Sequence, residues 1–199
     1  MMINIFIYTF SIIFLLNIIP IFGPPTWAVL SFISFTYSIP SFPLFIFIAL
    51  CASTLGRFVL TLSSKHIIRN HFLSKKYKTN LDNLKKHLEK RPHYASIVFF
   101  IEAFTPLPSD QLFIAYGLTG MKLRYAFIPF VIARIFTYSF WVYTANEISK
   151  SILAKSLTQL SFLSWPFILA EILLLFLVYS FIKIDWKHFI LYHKFRMIH

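Results

Sequence analysis

Long apolar runs, interrupted by prolines and a few charges, make up most of this 199-residue chain. The run from Ser96 to Gly120 holds two acids, Glu102 and Asp110, on either side of a Pro-x-Pro sequence. Each of those prolines lacks an amide donor and disfavours helical geometry in the residue before it, so we expect a break there. The pattern predicts two helical arms of about 15 Å, each half of a hydrocarbon core of about 30 Å.

We interpret this stretch as a re-entrant hairpin with arms at 97–105 and 110–120. Its tip, with Pro106, Pro108 and Ser109, is expected to reach the middle of the bilayer. Either Ser109 or Asp110 is a suitable residue to cap the second arm.

A shorter version of the same pattern precedes it. Apolar residues 3–19 are followed by Pro24 and Pro25, and residues 28–37 are apolar again. Because about ten residues cannot cross a bilayer, we favour a second hairpin over an ordinary loop between two helices. The first segment lacks the basic start and small-residue cleavage site of a signal peptide, so we interpret it as an uncleaved helix.

Full-length spans are predicted at 42–62, 125–143 and 167–184. The first two contain the pairs Gly56-Arg57 and Ala133-Arg134. For the Arg57 side chain, two arrangements are equally consistent with the sequence: an ion-pair partner inside the membrane, or extension to the membrane interface. The chain is thus expected to form one membrane domain, 1–199. Its parts are the first hairpin and span (20–63), a basic segment (64–95), the second hairpin and span (96–147), a last span (164–185) and a basic tail (186–199).

The distribution of basic residues supports re-entry. With a re-entrant second hairpin, 15 loop and tail Lys/Arg residues lie on one side and two on the other; with a crossing segment the split is 11 to 6. Since basic loops favour the cytoplasm, segment 64–95 and the C-terminus are predicted to be cytoplasmic. The fold class is then an all-α polytopic membrane protein with two inverted repeats, each a re-entrant helical hairpin followed by a transmembrane helix, plus a C-terminal transmembrane helix.

Composition agrees with a membrane class. The chain is 58% hydrophobic and 13% charged, which a soluble domain of this length could not accommodate. The basic residues that give the chain its net charge of +12 lie mostly beside the predicted membrane segments. We therefore predict membrane lipids as partners and no nucleic acid. No spacing of histidines or of the single cysteine indicates a metal site or an enzyme, and no cofactor is expected.

The candidate chemistry lies in four charged residues. Re-entrant backbone is tolerated only against protein or a polar cavity, which Glu102, Asp110, Arg134 and Arg57 would line. One hypothesis assigns ion coupling to the two acids and anionic-group binding to the two arginines, whose guanidinium fork suits phosphate. The other is purely structural: the four charges balance and hold the hairpins together.

The run Glu102-Ala-Phe-Thr-Pro106-Leu-Pro108-Ser109-Asp110, followed by Ala115-Tyr-Gly117 and Met121, resembles the E-x-x-x-P-x-P-[SG]-[DE]…AG…M signature of the DedA/VTT superfamily. This superfamily is also called the SNARE-associated Golgi protein family. The resemblance implies two facing re-entrant hairpins, inverted repeats, and lipid or ion transport without a cofactor.

The sequence also departs from that family. Ala103 and Ser109 stand where many bacterial members have arginines, and Arg57 stands where an acid is usual. It therefore resembles a divergent member.

The sequence is consistent with three functions. The first is translocation of an anionic lipid, a phospholipid or polyprenyl phosphate, across the cell inner membrane. The alternatives are a proton- or cation-coupled transporter of small solutes and a membrane scaffold or assembly factor that transports nothing. A homo-oligomer is left open.

Overall fold

The computed structural model describes residues 2–19, 24–104 and 109–149, and the isolated helical residues 176, 179, 180 and 183. Apart from those four, the predicted last span and the tail lie outside the described residues, as do Pro106 and Pro108. The described chain is helical and contains no strand. Its helices are α1 (Met2–Ile18), α2 (Thr26–Thr36), α3 (Phe42–Ser63), α4 (Lys75–Leu88), α5 (His93–Glu102), α6 (Asp110–Thr119) and α7 (Arg124–Ser149).

Two helical stretches are long and apolar enough to cross a membrane, judged by length and composition. They are Phe42–Phe72, in which α3 continues as the π-helical extension Ser64–Phe72, and Arg124–Glu147 in α7. The outward faces of these and the neighbouring helices carry large apolar side chains at high exposure, including Phe32, Phe47, Phe136 and Phe140. The predicted all-helical class is confirmed for the described residues, and the apolar helices agree with a membrane protein.

Helices α5 and α6 fold back on each other. The Phe99 ring lies 4.8 Å from the Phe113 ring and 5.1 Å from the Tyr116 ring, measured between centroids. In one straight helix, Phe99 and Tyr116 would be about 25 Å apart. The chain therefore reverses between α5 and α6, and the two helices form a helical hairpin.

The capping prediction for this hairpin is confirmed for the position of Ser109 as the N-cap residue, but not for a side-chain hydrogen bond. Ser109 directly precedes α6, but its backbone is helical (φ −80°, ψ −5°) and its side chain makes no capping hydrogen bond. A capping side chain normally requires an extended backbone to reach the free amides of the first turn. The carboxylate of Asp110 is instead directed at an arginine of α3.

The packing of the helices follows a reciprocal pattern. Helix α1 packs along α3 and helix α5 along α7, while α2 packs on α7 and α6 on α3. Of the helices α1 and α2, one packs on α3 and the other on α7, and the same is true of α5 and α6. Helices α3 and α7 also touch, and they run antiparallel: the ring of Phe58, late in α3, lies 6.0 Å from that of Phe127, early in α7.

Two glycines permit the closest of these approaches. A Cβ atom on Gly56 would lie 2.6 Å from Asn17 Cβ and 2.8 Å from the carbonyl oxygen of Phe14, so α1 sits directly on the α3 backbone. A Cβ atom on Gly117 would lie 2.5 Å from the carbonyl oxygen of Thr61, so α6 does the same further along α3. Small residues at such crossings are typical of helices packed in membranes.

The basic segment is helical and is attached to the second hairpin. Leu81 and Leu84 of α4 are buried, and the guanidinium of Arg69 bridges two elements. Arg69 Nη1 donates to the carbonyl oxygen of Leu118 at 2.7 Å, and Nη2 donates to Asp82 Oδ1 at 2.6 Å. Helix α4 is therefore fixed to the C-terminal end of α6.

Candidate functional site

The first ion pair of the site joins α3 to α6. Arg57 lies in the last third of α3, Asp110 is the first residue of α6, and Arg57 Nη1 lies against Asp110 Oδ1. Both residues are only 4% exposed. The possibility that Arg57 extends to the interface is therefore wrong, because its helix continues as far as Phe72 and the guanidinium turns inward to a carboxylate.

The second ion pair joins α7 to α5. Arg134 lies in the middle of α7 and is 5% exposed, and Glu102 is the last residue of α5. Arg134 Nη2 lies 3.7 Å from Glu102 Oε1, which is beyond hydrogen-bond distance. The two pairs place two arginines and two acids in neighbouring parts of the helical interior, and we call these four residues the four-charge cluster.

Aromatic rings separate the two pairs. The guanidinium carbon of Arg57 lies 5.7 Å from the centroid of Phe113, and that of Arg134 lies 5.1 Å from the centroid of Phe130. The two rings meet edge to face at 5.0 Å. Each cation therefore receives some compensation for its lost hydration from a ring face.

Hydrogen-bond donors remain in this apolar interior. The Nε atoms of Arg57 and Arg134 and the hydroxyl of Tyr138 are buried and have no hydrogen-bond partner among the described residues. Tyr138 is one turn beyond Arg134 on α7, and its ring lies 5.6 Å from the Arg134 guanidinium carbon. Because buried donors are normally paired, the guanidinium of Arg134 and the hydroxyl of Tyr138 are each suited to an anionic oxygen group.

The first hairpin holds an uncharged counterpart of the acids. Asn17, one residue before the end of α1, donates from Nδ2 to Thr26 Oγ1 at 3.1 Å, and Thr26 is the first residue of α2. Glu102 and Asp110 occupy the matching ends of α5 and α6. Asn17 is not among the residues predicted from the sequence. Its signal was a lone amide side chain within the apolar residues 12–19.

The remaining predicted residues that the structure describes lie at the N-terminal ends of α2 and α6. Pro24 and Pro25 directly precede α2, and Pro25 is the residue at its N-terminal boundary. Ser109 is buried at the start of α6, whereas Pro106 and Pro108 lie outside the described residues. In the described part of the chain, no group of three His, Cys, Asp or Glu side chains could hold a metal ion. His66, His71, His87 and His93 are exposed.

These features define a helical protein with apolar outer faces and a buried cluster of paired charges. No family model, no curated protein and no solved structure matches this chain.

Proposed function

We propose that the protein is a multi-pass inner-membrane protein whose two halves are inverted repeats, each a re-entrant hairpin and a span, in a divergent branch of the DedA/VTT superfamily. The reciprocal packing of hairpin arms on the two antiparallel spans supports this architecture. In this arrangement segment 64–95 and the C-terminus are cytoplasmic, and the four-charge cluster lies near the middle of the bilayer.

The function that the site supports best is translocation of an anionic lipid, a phospholipid or a polyprenyl phosphate. The single observation that carries it is the arrangement around Arg134: a buried guanidinium and the buried Tyr138 hydroxyl, each with a donor unpaired in the described residues. Both belong to one face of α7 beside Glu102. A phosphate group passing through the bilayer needs such donors in place of water.

Glu102 allows the bound phosphate group to be released from Arg134. Its carboxylate stands 3.7 Å from Arg134, so an incoming phosphate can compete for the guanidinium without first breaking a close hydrogen bond. When phosphate occupies Arg134, its negative charge repels the nearby carboxylate of Glu102, which favours uptake of a proton by that carboxylate. When phosphate leaves, the original pair re-forms. Proton or cation binding at Glu102 thereby accompanies lipid movement.

The Arg57–Asp110 pair has a different part in this proposal. Its atoms are in direct contact and both residues are almost fully buried, so it holds α6 against α3. This same observation favours a second candidate, the scaffold, in which both pairs serve only to lock the hairpins. The solute transporter differs from the lipid hypothesis in its substrate and uses the same Glu102 site.

Reconstitution separates the candidates. The purified protein is placed in liposomes that contain a fluorescent anionic phospholipid, and movement between leaflets is followed by quenching of the outer-leaflet dye. We expect faster movement than in empty vesicles, and loss of most of that gain in Glu102→Gln and Arg134→Gln. The matched control is Glu147→Gln, an exposed acid near the C-terminal end of α7.

Two results would contradict lipid translocation. In the first, vesicles with protein match empty vesicles for every lipid tested while a solute drives proton flux, which assigns the site to the solute transporter. Alternatively, Glu102→Gln retains full lipid movement in a folded protein, and the charges are then structural.

A further inference from the structure

A groove runs along the outer surface between α5 and α7, away from the four-charge cluster. It has a volume of about 410 Å³, within the range of small-ligand sites. Its walls are apolar side chains from the two helices, and at one end it carries a cation. The lining residues are Ser96, Ile97, Phe100, Arg124, Tyr125, Ile128, Pro129 and Ile132.

The groove is built around a proline in a helix. Pro129 lies inside α7 and has no amide hydrogen to give to the carbonyl oxygen of Tyr125, one turn earlier. The Ser96 hydroxyl of α5 donates to that oxygen instead, at 2.9 Å. The carbonyl oxygen that the proline leaves without its usual donor is therefore paired, and most of the groove's lining is hydrocarbon.

The open face of the groove is long and apolar. Ile97, Ile128 and Ile132 are 50%, 59% and 46% exposed. From Arg124 to Ile132 the wall covers two helical turns, or about 12 Å. An extended hydrocarbon chain fits such a shape better than a compact polar solute does.

Charge at one end identifies the ligand class. Arg124 is the exposed first residue of α7, stacks its guanidinium 4.8 Å from the Tyr125 ring centre and donates from Nη2 to the Tyr125 hydroxyl at 2.8 Å. These contacts hold the guanidinium at the mouth with further donors available, since arginine has five. Lys122 is exposed two residues earlier, and none of the described residues that line the groove is acidic. An anionic headgroup complements this end.

We propose that the α5–α7 groove binds an anionic phospholipid, with one acyl chain along Ile97, Ile128 and Ile132 and the phosphate at Arg124. In the proposed topology this mouth faces the cytoplasmic leaflet, where anionic lipid is the available occupant. The role of the groove as the site where lipid loads before translocation rests on the proposed function. The binding of the phospholipid in the groove does not rest on the proposed function.

Photo-crosslinking in lipid nanodiscs tests the binding. The full chain is reconstituted with a trace of phosphatidylglycerol or phosphatidylcholine carrying the same diazirine-labelled acyl chain, and labelled peptides are mapped by mass spectrometry. We expect label on α5 and α7 groove residues, with phosphatidylglycerol preferred. Arg124→Gln is expected to reduce that preference about fivefold to tenfold, while Lys122→Gln changes it much less.

A second pair of variants addresses the acyl chain. Ile128→Trp fills the groove and is expected to abolish its labelling, whereas Ile135→Trp, on an exposed part of α7 outside the groove, leaves it intact. Equal labelling by the two lipids, an unaltered preference in Arg124→Gln, or crosslinks only to another segment of this protein would overturn the proposal. If groove labelling fails while lipid moves between leaflets, this inference is wrong and the proposed function stands. The reverse result rejects the function and keeps the groove.

Discussion

Arg57 of α3 and Asp110 of α6 meet in the protein interior, with Nη1 of the arginine against Oδ1 of the aspartate. The contact joins the first residue of α6 to the last third of α3. Water is almost excluded from both residues, which are 4% exposed. Removing either partner alone therefore leaves a buried charge without its ion-pair partner.

Asp110→Asn is expected to lower the free energy of unfolding by about 3 kcal/mol, because Arg57 then stays charged in an apolar site. The double variant Arg57→Met with Asp110→Asn should lose less than the sum of the two single variants. Denaturation in mild detergent measures this coupling. The control is Lys85→Gln, which breaks the exposed Lys85–Glu89 pair at 4.0 Å and should cost no more than about 0.5 kcal/mol. Strictly additive losses would show that the buried pair is not coupled.

Tyr138→Phe separates function from stability. The Tyr138 hydroxyl has no hydrogen-bond partner among the described residues, so its removal should leave the unfolding free energy unchanged or raise it by about 1 kcal/mol. If the hydroxyl contacts the passing phosphate, lipid movement in liposomes should fall in the same variant. Full lipid movement in Tyr138→Phe would show that the Tyr138 hydroxyl does not take part in transport.

Ser96 and Pro129 should be energetically coupled although they lie on different helices. Ser96→Ala leaves the Tyr125 carbonyl oxygen unpaired and should cost about 1–2 kcal/mol in the unfolding free energy. In a Pro129→Ala background, the new amide at 129 can pair with that oxygen, so Ser96→Ala should then cost much less. A double-mutant cycle measures the difference, and equal costs in both backgrounds would refute this account of the bond.

Gly56→Ala and Gly117→Ala should each destabilise the fold by about 1–3 kcal/mol, since the added carbon meets backbone atoms of a neighbouring helix rather than a flexible side chain. Val59→Leu, at a position 37% exposed on α3, adds one carbon without such a contact and serves as the control. Thermal unfolding of the three variants tests the prediction. A glycine variant as stable as the control would mean that the helices separate freely at that crossing.

The helices follow from local sequence patterns, and their limits shift for identifiable reasons. The predicted arm 97–105 is helix α5 at His93–Glu102, and it begins directly after Pro92, a residue type that favours helix starts. The span predicted to end at 62 continues to Phe72, because polar residues beyond the apolar run remain helical. Apolar content signals burial in a bilayer but does not set where a helix ends.

The partners within the site could not be predicted in the same way. Sequence places Arg57, Arg134, Glu102 and Asp110 in apolar runs, which is enough to expect them together. Which acid meets which arginine depends on α6 crossing α3 and on α5 following α7, and no local pattern encodes that pairing. The same applies to Tyr138, whose place beside Arg134 matters only once both are buried.

In the proposed topology, the second hairpin enters and leaves the bilayer on the same side. Single cysteines at His93 and Lys122, exposed at the start of α5 and after α6, report it in a Cys51→Ser background with a membrane-impermeant maleimide. A cysteine at Ser38, exposed between α2 and α3, marks the opposite side. We expect labelling of positions 93 and 122 from the cytoplasmic side only and of position 38 from the other side only. Labelling of 93 and 122 from opposite sides would contradict it.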